Sequence, residues 1–115
     1  MSGDVDPAAF VAIYATFPSL EEAERIGGAV VEQGLAACVN ILPGMVSIYV
    51  WKGERHREQE VAALIKTRAV LAGRVMETVA RLHPYETPAL VVLPFAGGAQ
   101  SFLRWIADQT AAAQG

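Results

Sequence analysis

The 115-residue sequence contains one cysteine, two histidines and only 18% charged residues. A single cysteine excludes an intrachain disulfide framework and suits a reducing compartment. It also excludes the Cys-x-x-Cys pair expected of a ferredoxin-like metal chaperone. No block of lysine or arginine occurs and the formal net charge is −3, which argues against a nucleic-acid partner. No apolar run approaches the ~20 residues needed to cross a bilayer, so no membrane partner is expected. The signatures of phosphate-binding loops, dinucleotide folds, serine hydrolase elbows and paired metal ligands are all missing. The N-terminal stretch Met1–Ala9 has two acids and no cationic segment leading into an apolar run, unlike a secretory signal. The cytoplasm is therefore the expected location.

Apolar residues, by contrast, reach 53%, above the usual ~45–50%. A chain of this length forms one domain with a real core. The apolar surplus needs a further burial site, and a subunit interface is the natural one.

Residues 1–9 lack any period and read as a flexible tail, leaving 10–115 as a single domain. Phe10-Val-Ala-Ile-Tyr-Ala-Thr-Phe17 is an apolar run of strand length ended by Pro18. Ser19-Leu-Glu-Glu22 fits a capping box. Leu20, Ala23, Ile26, Val30 and Val31 follow at helical spacing, and Gly34 stands where a helix C-cap belongs. The stretch from Ala36 to Trp51 reads as one very long strand interrupted by Pro43-Gly44. Fully extended it would span about 50 Å, whereas a domain of this size is only ~35 Å across. It must bend at Pro43-Gly44 or project beyond its own domain.

Lys52-Gly53-Glu54 turns the chain, and Gln59 to Thr67 returns as an antiparallel partner. His56, within the charged run Glu54 to Glu58, reads as a solvated tip residue. A second helix uses Leu71, Val75, Val79 and Leu82 and is stopped by Pro84. Thr87 to Pro94 reads as a strand bracketed by prolines, and Phe102, Leu103, Trp105 and Ile106 mark a last helix. The order is βαββαβ plus a terminal helix. It predicts an α+β, ferredoxin-like two-layer sandwich with a long β2–β3 hairpin.

Phe10–Phe17, Val61–Ile65 and Leu90–Leu93 are apolar at consecutive positions, so both sheet faces are apolar. The two crossover helices cover only one face, and a wetted second face would alternate with polar residues. A neighbouring copy of the chain is the expected cover.

Several motifs stand in order: Ala37-Cys38-Val39-Asn40, Leu42-Pro43-Gly44, Ser47-Ile48-Tyr49, Trp51-Lys52-Gly53-Glu54, Ile65-Lys66-Thr67-Arg68 and His83-Pro84-Tyr85-Glu86-Thr87-Pro88. In this series the chain resembles the CutA family of divalent-cation tolerance proteins over about residues 10 to 110. The resemblance implies a homotrimer that takes part in the response to metal ions without being an enzyme. It further implies weak copper or other divalent-metal binding by a cysteine, a histidine and an acidic residue, here Cys38, His83 and Glu86. Ala89 and Leu82 depart from the pattern, standing where members place an acidic residue and an additional histidine. A likeness to the trimeric PII signalling proteins adds a possible small anionic ligand held between subunits.

The residues themselves leave alternatives open. Cys38 is either a buried small hydrophobe or a soft metal ligand. His83, fixed by Pro84, either binds metal or hydrogen-bonds a nearby carbonyl. Trp51, Lys66, Arg68, Tyr85 and Glu86 form a second constellation, with Lys66 and Arg68 on one strand face. They make either an anion-binding cleft or an intersubunit ion pair with interface packing. A Cys38–His83 nucleophile–base pair would lack any orienting third group. Three functions are thus expected in order: metal tolerance, metabolite sensing, and assembly without a ligand.

Overall fold

The apolar run Phe10–Phe17 forms β1, an inner strand of a four-stranded antiparallel sheet with the order β2-β3-β1-β4. The computed structural model describes residues 3–115, so Met1 and Ser2 of the expected tail lie outside the described residues. The other strands are β2 (Cys38–Trp51), β3 (Glu54–Arg68) and β4 (Leu90–Pro94). Helices α1 (Leu20–Glu32) and α2 (Ala72–Leu82) cross over one face, and α3 (Gln100–Gln109) ends the chain. This order and topology make the ferredoxin-like plan with an added helix.

The core follows the period-2 alternation of β1. Val11, Ile13, Ala15 and Phe17 point to the helices and pack with Ile26 and Val30 of α1, Ile65 of β3, and Val75 and Val79 of α2. Burying one such side chain contributes about 1.5–3 kcal/mol. Ser19 caps α1 by accepting a hydrogen bond from the Glu22 N–H at 3.2 Å. The reciprocal half of the expected capping box is replaced, because the Glu22 carboxylate pairs with Arg25 at 2.6 Å. Helix α2 stops at His83, whose extended backbone (φ −73°, ψ 138°) is what the following proline demands.

The long strand both bends and projects. Its pairing with β3 slips between Leu42 and Met45, where Gly44 takes φ +85°, a bulge that a side chain would strain. Beyond it the hairpin continues to a tight turn with Lys52 at φ 52° and Gly53 at φ 83°, the doubly left-handed pattern that matches strand twist. The chain consequently measures 57 × 25 × 22 Å. β3 begins at Glu54, earlier than the expected Gln59, and β4 begins at Leu90 rather than Thr87. His56 is accordingly not a tip residue: it pairs with Tyr49 across the ladder, is half-buried, and stacks on the Tyr49 ring at 5.2 Å.

The segment expected to be a loose tail makes contacts from Gly3 onward. Val5 and Gln100 exchange hydrogen bonds of 2.7 and 2.9 Å, and Arg104 donates to the Gly3 carbonyl. The face opposite α1 and α2 is also not entirely free. Leu103 and Ile106 of α3 bury Phe10 and Ala37 at one end of it. The remainder is open and apolar: Leu42 and Val91 are each 50% exposed and Leu93 is 43% exposed.

Candidate functional site

Thr16, Glu60 and Tyr49 come from β1, β3 and β2, and strand register places them on the sheet face away from α1 and α2. They meet the segment after α2 in a cleft of about 450 Å3. Trp51 closes one side; Tyr85, Glu86 and the Pro84 and Ala89 that flank them form the other.

A chain of three hydrogen bonds fixes this wall. His83 sits at the end of α2 with 8% exposure, its ring stacked on Phe17 at 5.0 Å. Its Nε2 lies 2.7 Å from the Thr16 carbonyl, and its Nδ1 accepts the Tyr85 N–H at 3.0 Å. The carbonyl can only accept and the amide can only donate. The network therefore assigns the proton to Nε2 and the lone pair to Nδ1. Both ring nitrogens are thereby occupied. Tyr85 then donates its phenol to Glu60 Oε2 at 2.9 Å. Burial, followed by the Glu60 hydrogen bond and charge, pushes the Tyr85 phenol far above its ordinary pKa of 10.

The structure divides the expected site residues into separate places. Trp51, Tyr85 and Glu86 line the one cleft. Lys66 and Arg68 do share a face, but they lie further along β3 under α3. The Lys66 ammonium sits over the Phe102 ring at 5.4 Å. Arg68 caps the C-terminal end of α3, donating to the Thr110 hydroxyl at 2.9 Å and to the Thr110 and Ala113 carbonyls at 2.6 and 2.8 Å. Within the chain the anion-binding constellation thus loses its two cations to α3. Among the described residues of the chain an ion pair of Glu86 with either one is likewise not formed.

Cys38 is also remote from His83. It pairs with Lys66 on edge strand β2, whereas the Thr16 that holds His83 pairs with Ala62. Four residues along β3 separate the two levels, about 14 Å. Cys38 borders a second depression of about 390 Å3 with Glu24, Val31 and Ile41. Burial raises the pKa of its thiol, and the Lys66 charge opposes that rise. Among the described residues no group of three His, Cys, Asp or Glu side chains could hold a metal ion.

Glu60, Thr16 and Tyr49 are cleft residues that sequence reasoning missed. A signal existed for Tyr49, which stands two residues before Trp51 and so shares its face. None existed for Glu60, which sits in the charged run Glu58-Gln59-Glu60 yet is only 7% exposed.

Residues 11–109 match the family model described as CutA1 divalent ion tolerance protein. Over 98 residues the chain is 45% identical to the divalent-cation tolerance protein CutA of Thermus thermophilus, covering 85% of this chain and 95% of that one. It is 39% identical over 104 residues to protein CutA of Mus musculus, covering 90% of this chain but only 59% of the mouse protein. Among solved structures, the divalent cation tolerance protein of Thermus thermophilus superposes with a TM-score of 0.84 at 44% identity, covering 88% of this chain and 98% of that one.

Proposed function

Since this chain belongs to the CutA1 divalent ion tolerance protein family, we propose that it serves divalent-cation tolerance as a homotrimer that binds copper or another divalent metal weakly and turns over no substrate. The observation that carries the reading is the open sheet face. Leu42, Val91 and Leu93 stand half-exposed on β2 and β4. Apolar side chains exposed on both outer strands of one sheet face favour an interface there, and the projecting hairpin supplies an arm to embrace a neighbour. Permanent interfaces commonly bury more than ~2,000 Å².

Weak metal binding follows from the ligand geometry. Cys38 is the one thiol of the chain, and it holds its proton more firmly than a free cysteine does, so a metal must first displace that proton. Glu24 borders the same depression as a second donor, and a third would have to come from a neighbouring copy. The separation of Cys38 from His83 supports the absence of a nucleophile–base pair. The free thiol of Cys38 suits the reducing cytoplasm. No helix among the described residues is long and apolar enough to cross a membrane.

Sedimentation velocity at low micromolar concentration should give one trimeric species, and a folded monomer there would sink the assembly reading. Calorimetric titration with Cu(II) should show weak binding that falls more than tenfold in Cys38→Ala.

A further inference from the structure

We propose that the cleft between Tyr49, Trp51 and Tyr85 is a binding site for an organic ammonium ion, with Glu60 as its counter-charge. Glu60 is 7% exposed. Among the described residues its carboxylate receives one hydrogen bond, from the Tyr85 phenol, and forms no ion pair. A buried carboxylate without a cation is costly, and a positive ligand removes that cost. The cations of the chain are placed elsewhere. Lys66 lies six residues further along β3, about 20 Å, and is engaged with Phe102. Lys52 stands over the Trp51 ring at 5.8 Å but does not line the cleft.

The walls select among cations. A hard metal ion needs several converging oxygen ligands, and here only Glu60 and the exposed Glu86 supply carboxylates. Three aromatic rings contribute nothing to such coordination. They do stabilise a diffuse, weakly hydrated charge through their quadrupoles, as in the aromatic cages that recognise quaternary ammonium groups. A volume of about 450 Å3 accommodates a molecule of that size. The wall is also pre-ordered, since His83 and the prolines on both sides of Tyr85-Glu86 fix it before any ligand arrives, which limits the entropy lost on binding. The cleft lies on the sheet face and beside the arm that the proposed trimer gives to a neighbouring copy, so the inference rests on that copy leaving the cleft open; it does not depend on copper.

The test uses the full chain carrying Trp105→Phe, which leaves Trp51 as the reporter fluorophore. Choline should change Trp51 emission saturably at or below ~10 mM. Its neutral isostere 3,3-dimethyl-1-butanol should bind more than tenfold more weakly. Glu60→Gln should lose choline binding by more than tenfold. Tyr49→Leu, on the 41%-exposed hairpin position, should lose it comparably and decides the matter if Glu60→Gln does not fold. Sedimentation of each variant reads assembly separately. An equal response to the neutral isostere, undiminished binding in the folded variants, or no saturable response would each overturn the proposal.

Discussion

His83 places Nε2 2.7 Å from the backbone carbonyl of Thr16, tying the end of α2 to the edge of the cleft. The other nitrogen is spent on the Tyr85 amide, so the ring works as a bracket between β1 and the cleft wall. Two predictions separate this role from metal binding. His83→Ala strands one buried carbonyl and one amide, which should cost about 2–4 kcal/mol in total. Urea unfolding at fixed protein concentration measures that loss. Cu(II) affinity of the folded variant should stay at the wild-type value; a tenfold drop would show that the ring leaves its bracket to ligate metal.

Tyr85 carries a pH signature. Its folded-state pKa is raised above the ordinary 10 by burial and by the Glu60 carboxylate. Above pH ~10 the unfolded chain releases this proton while the folded chain retains it. The contribution to stability is therefore fully present below pH 10 and is lost as pH rises toward the folded value. Ultraviolet titration should show a tyrosine that ionises late, and Tyr85→Phe should abolish that late step. If the variant titrates like the wild type, the Tyr85–Glu60 contact is not formed in solution.

Much of this was legible in the residues, and the failures have physical causes. β1 and α1 announce themselves because Phe10–Phe17 and the Ser19-capped repeat are read by the core directly. The first half of β3 does not, because Glu54 to Glu58 stand on an arm outside the core, where no buried face imposes alternation. Pairing there is set by the Lys52-Gly53 turn. Lys66 and Arg68 share a face, as the strand period requires. Whether that face meets the cleft or α3 depends on where a distant helix docks, which strand periodicity cannot encode. Glu60 was invisible for the same reason: the phenol that hydrogen-bonds it belongs to Tyr85, 25 residues away in sequence.

Arg68 should matter to α3 rather than to a ligand. Its guanidinium satisfies the Thr110 and Ala113 carbonyls at the helix end, and charge-assisted bonds of this kind are worth about 1.5–3 kcal/mol. In Arg68→Ala, hydrogen exchange of α3 amides should accelerate well before that of β1. Unchanged protection in α3 would show that packing of Leu103 and Ile106 alone holds the helix down.

The open sheet face gives the most decisive test of assembly. Leu42, Val91 and Leu93 sit on the strands that flank β1 and β3, half-exposed in one protomer. Replacing Leu93 by Asp puts a carboxylate on that face. If the face is solvated, the change is a surface substitution worth within about 0.5 kcal/mol. If a neighbouring copy covers it, the charge is buried once in every subunit, and each burial costs several kcal/mol without a partner. Leu93→Asp should then sediment as a monomer at low micromolar concentration while keeping its far-ultraviolet dichroism. Trp51→Ala, at the arm, should weaken assembly less, because its indole is one anchor among several. A Leu93→Asp protein that remains fully trimeric would place the interface elsewhere and leave this apolar face to another partner.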